Sequence, residues 1–192
     1  MSKNCRGFLK FCLQSDIMAK ILTDGANMYD DKKYMKRALA LAAAAARDGE
    51  APVGCVIVSD GQIVASGRNM REKKKNALLH AEIIAINRAC RRLGRWRLSG
   101  CTVYVTLEPC PMCAGALINC RADRVVYGCS DPKAGSFGSI VNLNELGYNH
   151  RCEVTGGILA EECALALSNF FKALRKRNRD DPAGQNILST DN

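Results

Sequence analysis

The chain has 192 residues, of which 28 are Lys or Arg and 19 are Asp or Glu, so its net charge is +9. One domain of about 150 residues with additional ends accounts for this length, and an apolar fraction of 47% excludes a wholly disordered chain. The 11 cysteines are odd in number and too sparse for a disulfide framework. No apolar run reaches the length of a secretory h-region or a membrane span, so we expect a soluble, cytoplasmic protein without a membrane partner.

The apolar pattern becomes regular only after Met28. Residues 1–29 are interpreted as a partly disordered N-terminal extension and residues 181–192 as a flexible C-terminal tail, which leaves one folded domain over 30–180. The elements predicted for that domain are, in chain order, a helix over 32–48, strands over 53–59 and 62–67, a solvated loop over 71–75, a helix over 80–94, a strand over 101–107, a helix over 111–120, a strand over 122–129, a short strand within 151–158 and a helix over 160–180.

Local signals mark the boundaries of several of these elements. Asp30 and Asp31 are candidate N-caps of the first helix. The dipeptide at 60–61, Asp-Gly, predicts the tight turn of a β-hairpin. Pro111 suits the first turn of a helix. Strands that alternate with helices after an initial hairpin predict an α/β layer protein with a mixed sheet.

One group of side chains has the composition of a catalytic metal site. His80 and Glu82 open a predicted helix as His-Ala-Glu, and Cys110 and Cys113 lie in Pro-Cys-Pro-Met-Cys at the start of the next one. One imidazole and two thiolates leave a Zn²⁺ ion an open fourth position for water. Zinc lowers the pKa of bound water from about 15.7 to roughly 7, and Glu82 fits the general acid/base that moves the protons.

A Cys-x-x-Cys pair by itself has other interpretations. In a reducing compartment it could be a redox pair, or half of a structural zinc knuckle with Cys101 or Cys120 as a fourth ligand. His-x-Glu followed at this distance by Pro-Cys-x-x-Cys, however, is the signature of zinc nucleobase deaminases. Because both halves are present, we interpret the chain as a deaminase.

At these residues the chain resembles the bacterial tRNA-specific adenosine deaminases, which convert the wobble adenosine of an arginine tRNA anticodon to inosine and release ammonia. The likeness runs from about Tyr29 to Arg179. The zinc signature is common to the whole cytidine deaminase superfamily. The narrower match comes from the loop Asp-Pro-Lys-Ala-Gly-Ser-Phe-Gly-Ser at 131–139, Asn-His-Arg at 149–151, and two phenylalanines before a basic tail. The resemblance implies a hydrolase with a three-layer α/β/α cytidine-deaminase-like fold and a mixed sheet of about five strands.

The resemblance also implies a role for each of several residues. His80, Cys110 and Cys113 would hold one Zn²⁺ per subunit, with Glu82 as the catalytic residue. The partners would be a tRNA anticodon stem-loop and a second copy of the chain in a homodimer. The implied substrate-binding groups are Pro52 and Val53 as pocket walls, Asn69 at the base or its ribose, the Ala81 backbone N–H at the purine, Asp131 at the neighbouring sugar, the loop from Lys133 to Ser139 around the anticodon, and Phe170 and Phe171 on the last helix.

Each secondary residue also has an ordinary structural interpretation. Asn69 after a strand is commonly a turn residue, and His150 has no place in a site that already has three ligands. Phe170 and Phe171 could belong to the core or to a dimer interface. The five arginines of the 88–97 segment form either a solvated helix face or a phosphate contact. Leu78, Leu79 and Cys55 stand where the family frequently has smaller residues, and they affect the fine shape of the pocket.

Two competing functions remain at this point. One is a deaminase of the same superfamily that acts on guanine, cytosine or deoxycytidylate. The other is a zinc-bearing RNA-binding partner without activity, against which the presence of Glu82 argues. Positive charge is concentrated in residues 71–75 (+3), 88–97 (+5) and 172–179 (+5), and this patchiness favours an RNA substrate over a free base.

Overall fold

The computed structural model describes residues 31–180, so the predictions for 1–29 and 181–192 lie outside the described residues. The elements are helix α1 over residues 31–47, strands β1 (Gly54–Ser59) and β2 (Gln62–Arg68), the one-turn helix α2 (Arg71–Lys74), helix α3 (Ala81–Leu93), strand β3 (Cys101–Leu107), helix α4 (Pro111–Asn119), strand β4 (Arg124–Cys129), a 3₁₀ turn at Leu143–Glu145, strand β5 (Glu153–Thr155) and helix α5 (Ala160–Asp180).

The five strands form one mixed sheet in the order β2-β1-β3-β4-β5. Strand β1 is antiparallel to both β2 and β3, whereas β4 is parallel to β3 and to β5. The parallel pair β3 and β4 requires a crossover connection, which α4 supplies. The predicted mixed sheet of five strands is confirmed.

The two faces of the sheet carry separate cores because side chains alternate along each strand. In β1, Cys55 and Ile57 pack with α3 and α4, while Val56 and Val58 pack with α1 and α5. The same alternation recurs in β3 and β4. Helices therefore cover both faces, and the predicted three-layer arrangement is confirmed. Within residues 31–180, no helix is both long and apolar enough to cross a membrane.

Local signals predicted the hairpin correctly but missed one helical turn. Asp60 and Gly61 both have positive φ, as the predicted tight turn requires. Residues 71–75 are exposed, as expected for a solvated segment, but Arg71–Lys74 form a helical turn rather than a loop. The reason lies outside the segment, because the buried Glu50 carboxylate accepts the backbone N–H groups of Glu72 and Lys73.

Asp31 lies within α1 and does not cap it, which corrects one of the two N-cap predictions; Asp30 lies outside the described residues. The Asp31 carboxylate accepts hydrogen bonds of 2.8 Å from both terminal nitrogens of Arg124 and from the Tyr104 hydroxyl. The hydrogen bond to Asp31 raises the pKa of Arg124 above its ordinary value. This buried network joins α1 to the central strands β3 and β4.

We expect Asp31→Asn to lower the free energy of unfolding by about 3–5 kcal/mol, because the buried Arg124 guanidinium would keep only the exposed Glu153 carboxylate as a charged partner. Glu153 is the matched control, since it contacts the same guanidinium at 3.3 Å with a side chain that is 71% exposed. Glu153→Gln should cost less than about 1 kcal/mol. Urea denaturation of both variants measures the difference, and equal losses would contradict the dominance of the buried pair.

Candidate active site

Four strand ends meet at one edge of the sheet. Val53 precedes β1, Asn69 follows β2, Glu108 follows β3 and Asp131 comes two residues after β4. Since β1 runs opposite to its neighbours β2 and β3, its start lies beside the ends of those strands. These residues line one cleft of about 450 Å³, a size typical of small-ligand sites.

Two helices begin at this edge and carry the candidate metal ligands. His80 is the N-cap of α3, and Cys110 is the N-cap of α4, with Cys113 in the first turn. Gly67 lets α3 approach the sheet, because a Cβ at that position would collide with the Ala81 carbonyl oxygen. The strand and helix packing therefore fixes His80 relative to the cysteines.

The three side chains fit a zinc ion in both geometry and chemistry. His80 Nδ1 lies 3.7 Å from Cys110 Sγ and 3.6 Å from Cys113 Sγ. Tetrahedral coordination with Zn–S near 2.3 Å and Zn–N near 2.0 Å places a sulfur and a nitrogen ligand about 3.5 Å apart. Among residues 31–180, this is the one group of three or more candidate ligands whose donor atoms lie within 4.8 Å of one another.

The electrostatics of the cluster favour a thiolate. Hydrogen bonds from Cys113 and His80 lower the pKa of Cys110 to about 4, although burial opposes the shift. The same contact with Cys110 raises the pKa of Cys113, and the hydrogen bond to Cys110 raises the pKa of His80. The cluster by itself thus holds one thiolate sulfur, and a coordinated cation would deprotonate the second.

Glu82 projects from the first turn of α3 into the same cleft. Its side chain is buried, and its Oε2 atom has no hydrogen-bond partner in the described part of the chain. Burial raises the pKa of Glu82 above its ordinary value. A buried carboxylate oxygen without a partner is costly to folding, so its retention beside a candidate metal cluster indicates a chemical role.

The structure brings together only part of the predicted substrate-binding set. Val53, Asn69, Asp131, Lys133 and Phe171 all line the cleft. The other four, Pro52, Ala81, Ser139 and Phe170, are not among the residues that line the cleft. Pro52 and Ala81 are buried, the Ser139 backbone N–H donates to Glu108, and the Phe170 ring packs edge-on against Phe171.

The Ala81 backbone N–H donates to Asn69 Oδ1 at 3.1 Å. The two groups that the resemblance assigned to the base are therefore bonded to each other. This contact orients the Asn69 amide at the wall of the cleft.

The cleft contains residues that sequence reasoning did not assign. Arg71 and Glu108 are charged members of the lining, and Leu107 and Leu167 are apolar ones. Glu108 is the third residue of Thr-Leu-Glu-Pro-Cys at 106–110 and lies two residues before Cys110, so its position in the sequence was a usable signal. Arg71 had no such signal, because the interaction that folds its segment comes from Glu50.

Other histidine and cysteine side chains that were considered as metal ligands lie outside the cluster. His150 Nε2 bonds the Ala122 carbonyl oxygen at 2.8 Å and lies outside the metal cluster, as does Cys120, which donates to the Leu117 carbonyl. Cys101 is buried and also outside it. All nine described cysteines are free.

Two apolar segments, 124–128 and 167–171, could serve a dimer interface, and they differ in accessibility. Arg124–Gly128 is part of the paired strand β4, so it belongs to the core. In Leu167–Phe171, the Phe171 ring is 41% exposed. This second segment is therefore the one whose surface is accessible.

Replacing a ligand of this cluster should remove the metal without unfolding the domain. We expect Cys113→Ala to lose most of the zinc that the unchanged protein retains after dialysis, because two protein ligands hold the ion weakly. Cys120→Ala is the control, since that thiol is also buried but lies outside the cluster. Atomic absorption on both variants measures the content, and full zinc in Cys113→Ala would exclude it as a ligand.

Comparison with known proteins agrees with this geometry. The family model for the cytidine and deoxycytidylate deaminase zinc-binding region matches residues 28–129. A tRNA-specific adenosine deaminase of Bacillus subtilis (strain 168) is 48% identical over 153 residues, which are 79% of this chain and 95% of that protein.

Two solved structures are also similar. One, from a study of A-to-I editing by tRNA:A34 deaminases at the wobble position of transfer RNA, superposes with a TM-score of 0.68 at 38% identity, over 70% of this chain and 99% of that one. A guanine deaminase from Bacillus subtilis superposes with a TM-score of 0.50 at 40% identity, over 51% of this chain and 63% of that one.

The match to the tRNA-specific adenosine deaminase of Bacillus subtilis spans nearly the whole of that protein. The candidate zinc ligands of the cleft lie within the region matched by the family model. The chain belongs to the tRNA-specific adenosine deaminases, and it is a zinc-dependent hydrolytic deaminase of the cytidine deaminase superfamily.

Proposed function

We propose that this enzyme deaminates the wobble adenosine of a tRNA anticodon, in an arginine tRNA, to inosine. The observation that carries the proposal is the buried Glu82 carboxylate, which has an unpartnered oxygen and shares the cleft with His80 and Cys110. A zinc site for chemistry needs an acid/base that is not itself a ligand, and Glu82 lies outside the ligand cluster.

The reaction replaces the C6 amino group of adenine by an oxygen from water. The oxygen forms a bond to C6, the C6–N bond breaks, and ammonia leaves. Zinc, held by His80, Cys110 and Cys113, supplies an activated water when it is bound. Glu82 would accept one proton of the attacking water and transfer it to the ring nitrogen, and it would then carry the proton of the new C6 hydroxyl to the departing amine, which leaves the C6 carbonyl of inosine.

The walls of the cleft suit a base taken out of an anticodon loop. An unpaired loop base can be splayed into a pocket at low cost, and aromatic side chains provide a stacking surface. Phe171 offers such a surface, and Val53 and Leu107 provide apolar walls. Arg71 and Lys133 place positive charge at the rim, where the flanking phosphates would lie.

The competing functions find less support. The structure from the study of tRNA:A34 deaminases superposes with a TM-score of 0.68 over 99% of its own chain, whereas the Bacillus subtilis guanine deaminase superposes with a TM-score of 0.50 over 63% of its own chain. An inactive RNA-binding partner would not need a buried carboxylate with an unpartnered oxygen in the same cleft as His80 and Cys110. The exposed basic residues of α5 extend the positive surface well beyond the size of a free nucleobase.

We also propose that the enzyme acts as a cytoplasmic homodimer. The nine free thiols of the described chain suit a reducing compartment, where tRNA is also found. Large apolar side chains are exposed at Ile140, Leu146, Tyr148 and Leu165, which supports a second copy of the chain as a partner.

Replacement of Glu82 should abolish chemistry and leave binding intact. We expect Glu82→Gln to retain zinc and tRNA affinity and to lower the rate of inosine formation by more than about 100-fold, the lower end of the general acid/base contribution. Glu161→Gln, at an exposed position in α5, serves as the control. Activity of Glu82→Gln within about tenfold of the unchanged enzyme would contradict the acid/base assignment.

The basic end of α5 should contribute phosphate contacts. Lys172, Arg175, Lys176, Arg177 and Arg179 are all exposed. If all five contact RNA phosphates, their replacement by Gln should reduce the slope of log K against log salt by about 3.5. Filter binding of tRNA between low and moderate salt measures it. Single-turnover rates on bound RNA should stay unchanged, and an unaltered slope would make this end a solvated face.

A further inference from the structure

Glu108 is a buried carboxylate whose hydrogen bonds all go to one loop. Its Oε1 accepts the backbone N–H groups of Phe137 at 3.0 Å and Ser139 at 3.1 Å. Its Oε2 accepts the N–H of Asp131 at 3.1 Å and the Ser139 hydroxyl. Only 2% of the residue is exposed, and within residues 31–180 it forms no ion pair. Four donors from residues 131–139 thus converge on one side chain.

The loop is further held by the residue that follows Glu108. The Pro109 carbonyl oxygen accepts the N–H of Ser136 at 3.0 Å. Residues 108 and 109 directly precede the candidate zinc ligand Cys110. One short stretch of chain therefore connects the 131–139 loop to the metal cluster, and it does so through hydrogen bonds rather than through packing alone.

The same loop supplies one wall of the cleft. Asp131, Lys133 and Ala134 line it together with Val53 and Asn69. The hydrogen bond between Lys133 N–H and Asp131 Oδ1 at 2.9 Å keeps these side chains in one turn. A displacement of the loop would therefore move both the Asp131 carboxylate and the Lys133 ammonium relative to the metal cluster.

We propose that Glu108 is the positioning residue for substrate specificity: it holds the 131–139 loop at a fixed distance from Cys110, so that Asp131 and Lys133 meet the nucleotides flanking the target adenosine. Glu108 acts through this loop and lies outside the group of candidate metal ligands. The identity of the ligand rests on the proposed function, whereas the positioning of the loop rests on the hydrogen bonds alone.

The geometry requires a carboxylate at this position. An ionised carboxylate is an acceptor at both oxygens, whereas a glutamine would turn an NH₂ group toward two of the loop's donors. Each of its two oxygens accepts two donors of the loop, which is the pattern that a carboxylate accepts at both oxygens. Gly135 lets the loop approach this carboxylate closely, because a Cβ there would collide with the Glu108 carboxyl group.

Hydrogen–deuterium exchange on the zinc-loaded protein tests the positioning directly. In Glu108→Gln, the loop amides that bond the carboxylate, those of Asp131, Phe137 and Ser139, should exchange at least about tenfold faster than in the unchanged enzyme, because the glutamine NH₂ group cannot accept two of the loop's four hydrogen bonds. Exchange in α3 and zinc content should be unchanged. Glu153→Gln, which alters an exposed glutamate outside the cleft, should show no change in the loop. Equal loop exchange in Glu108→Gln and Glu153→Gln would overturn the proposal.

Activity then tests the specificity. Stem-loop RNAs that carry the target adenosine and differ only in the two flanking nucleotides serve as substrates. The ratio of kcat/KM between the preferred and altered RNA should fall at least about tenfold in Glu108→Gln, through changes in KM more than in kcat. A preserved ratio despite faster loop exchange would overturn the specificity role.

Two other results, no activity in the unchanged enzyme and a Glu108→Gln variant that does not fold, have different consequences. If the unchanged enzyme deaminates none of the RNAs, the proposed function fails, and loop exchange alone still decides whether Glu108 holds the loop. If Glu108→Gln does not fold, Gly135→Ala replaces it, since it leaves the carboxylate in place and disturbs the same contact. Faster loop exchange in Gly135→Ala supports the proposal, and unchanged exchange overturns it.

Discussion

The functional site depends on one constraint of the sheet, the convergence of four strand ends at a single edge. Because β1 is antiparallel to β2 and β3, while β4 is parallel to β3, the chain enters or leaves the sheet at that edge at Val53, Asn69, Glu108 and Asp131. Two helices begin there with His80 and Cys110 as their N-caps. A shift of any of these strands would separate the metal cluster from the walls of the cleft.

Three buried glutamates around the cleft show how hydrogen bonding separates structural from chemical roles. Glu50 accepts two backbone N–H groups of α2, and Glu108 accepts three from the 131–139 loop, so each carboxylate holds one wall in place. Glu82 is equally buried, yet one of its oxygens has no partner within residues 31–180. The two carboxylates with satisfied hydrogen bonds have structural roles, and the third, with an unpartnered oxygen, is the one that we propose for proton transfer.

Sequence patterns predicted the features that short-range chemistry determines. Runs rich in β-branched and aromatic residues predicted the strands, Asp60-Gly61 predicted the hairpin turn, and the pairing of His-x-Glu with Pro-Cys-x-x-Cys predicted the metal cluster. What could not be predicted depends on contacts between distant segments. The helical turn that carries Arg71 exists because of its hydrogen bonds to Glu50. The Asp31 carboxylate accepts a hydrogen bond from Arg124, 93 residues away, and does not cap α1. Such pairings leave no periodic signal in the sequence.

The central claim is that a zinc-bearing cleft with Glu82 as its acid/base acts on tRNA. Incubation of the purified enzyme with total tRNA, in parallel with free guanine, cytosine, adenosine and deoxycytidylate, tests this claim most directly. Inosine is scored by sequencing, and ammonia release is measured for the free compounds. We expect inosine at the wobble position of an arginine tRNA and no ammonia from the free compounds. Deamination of a free base or nucleotide with unmodified tRNA would contradict it.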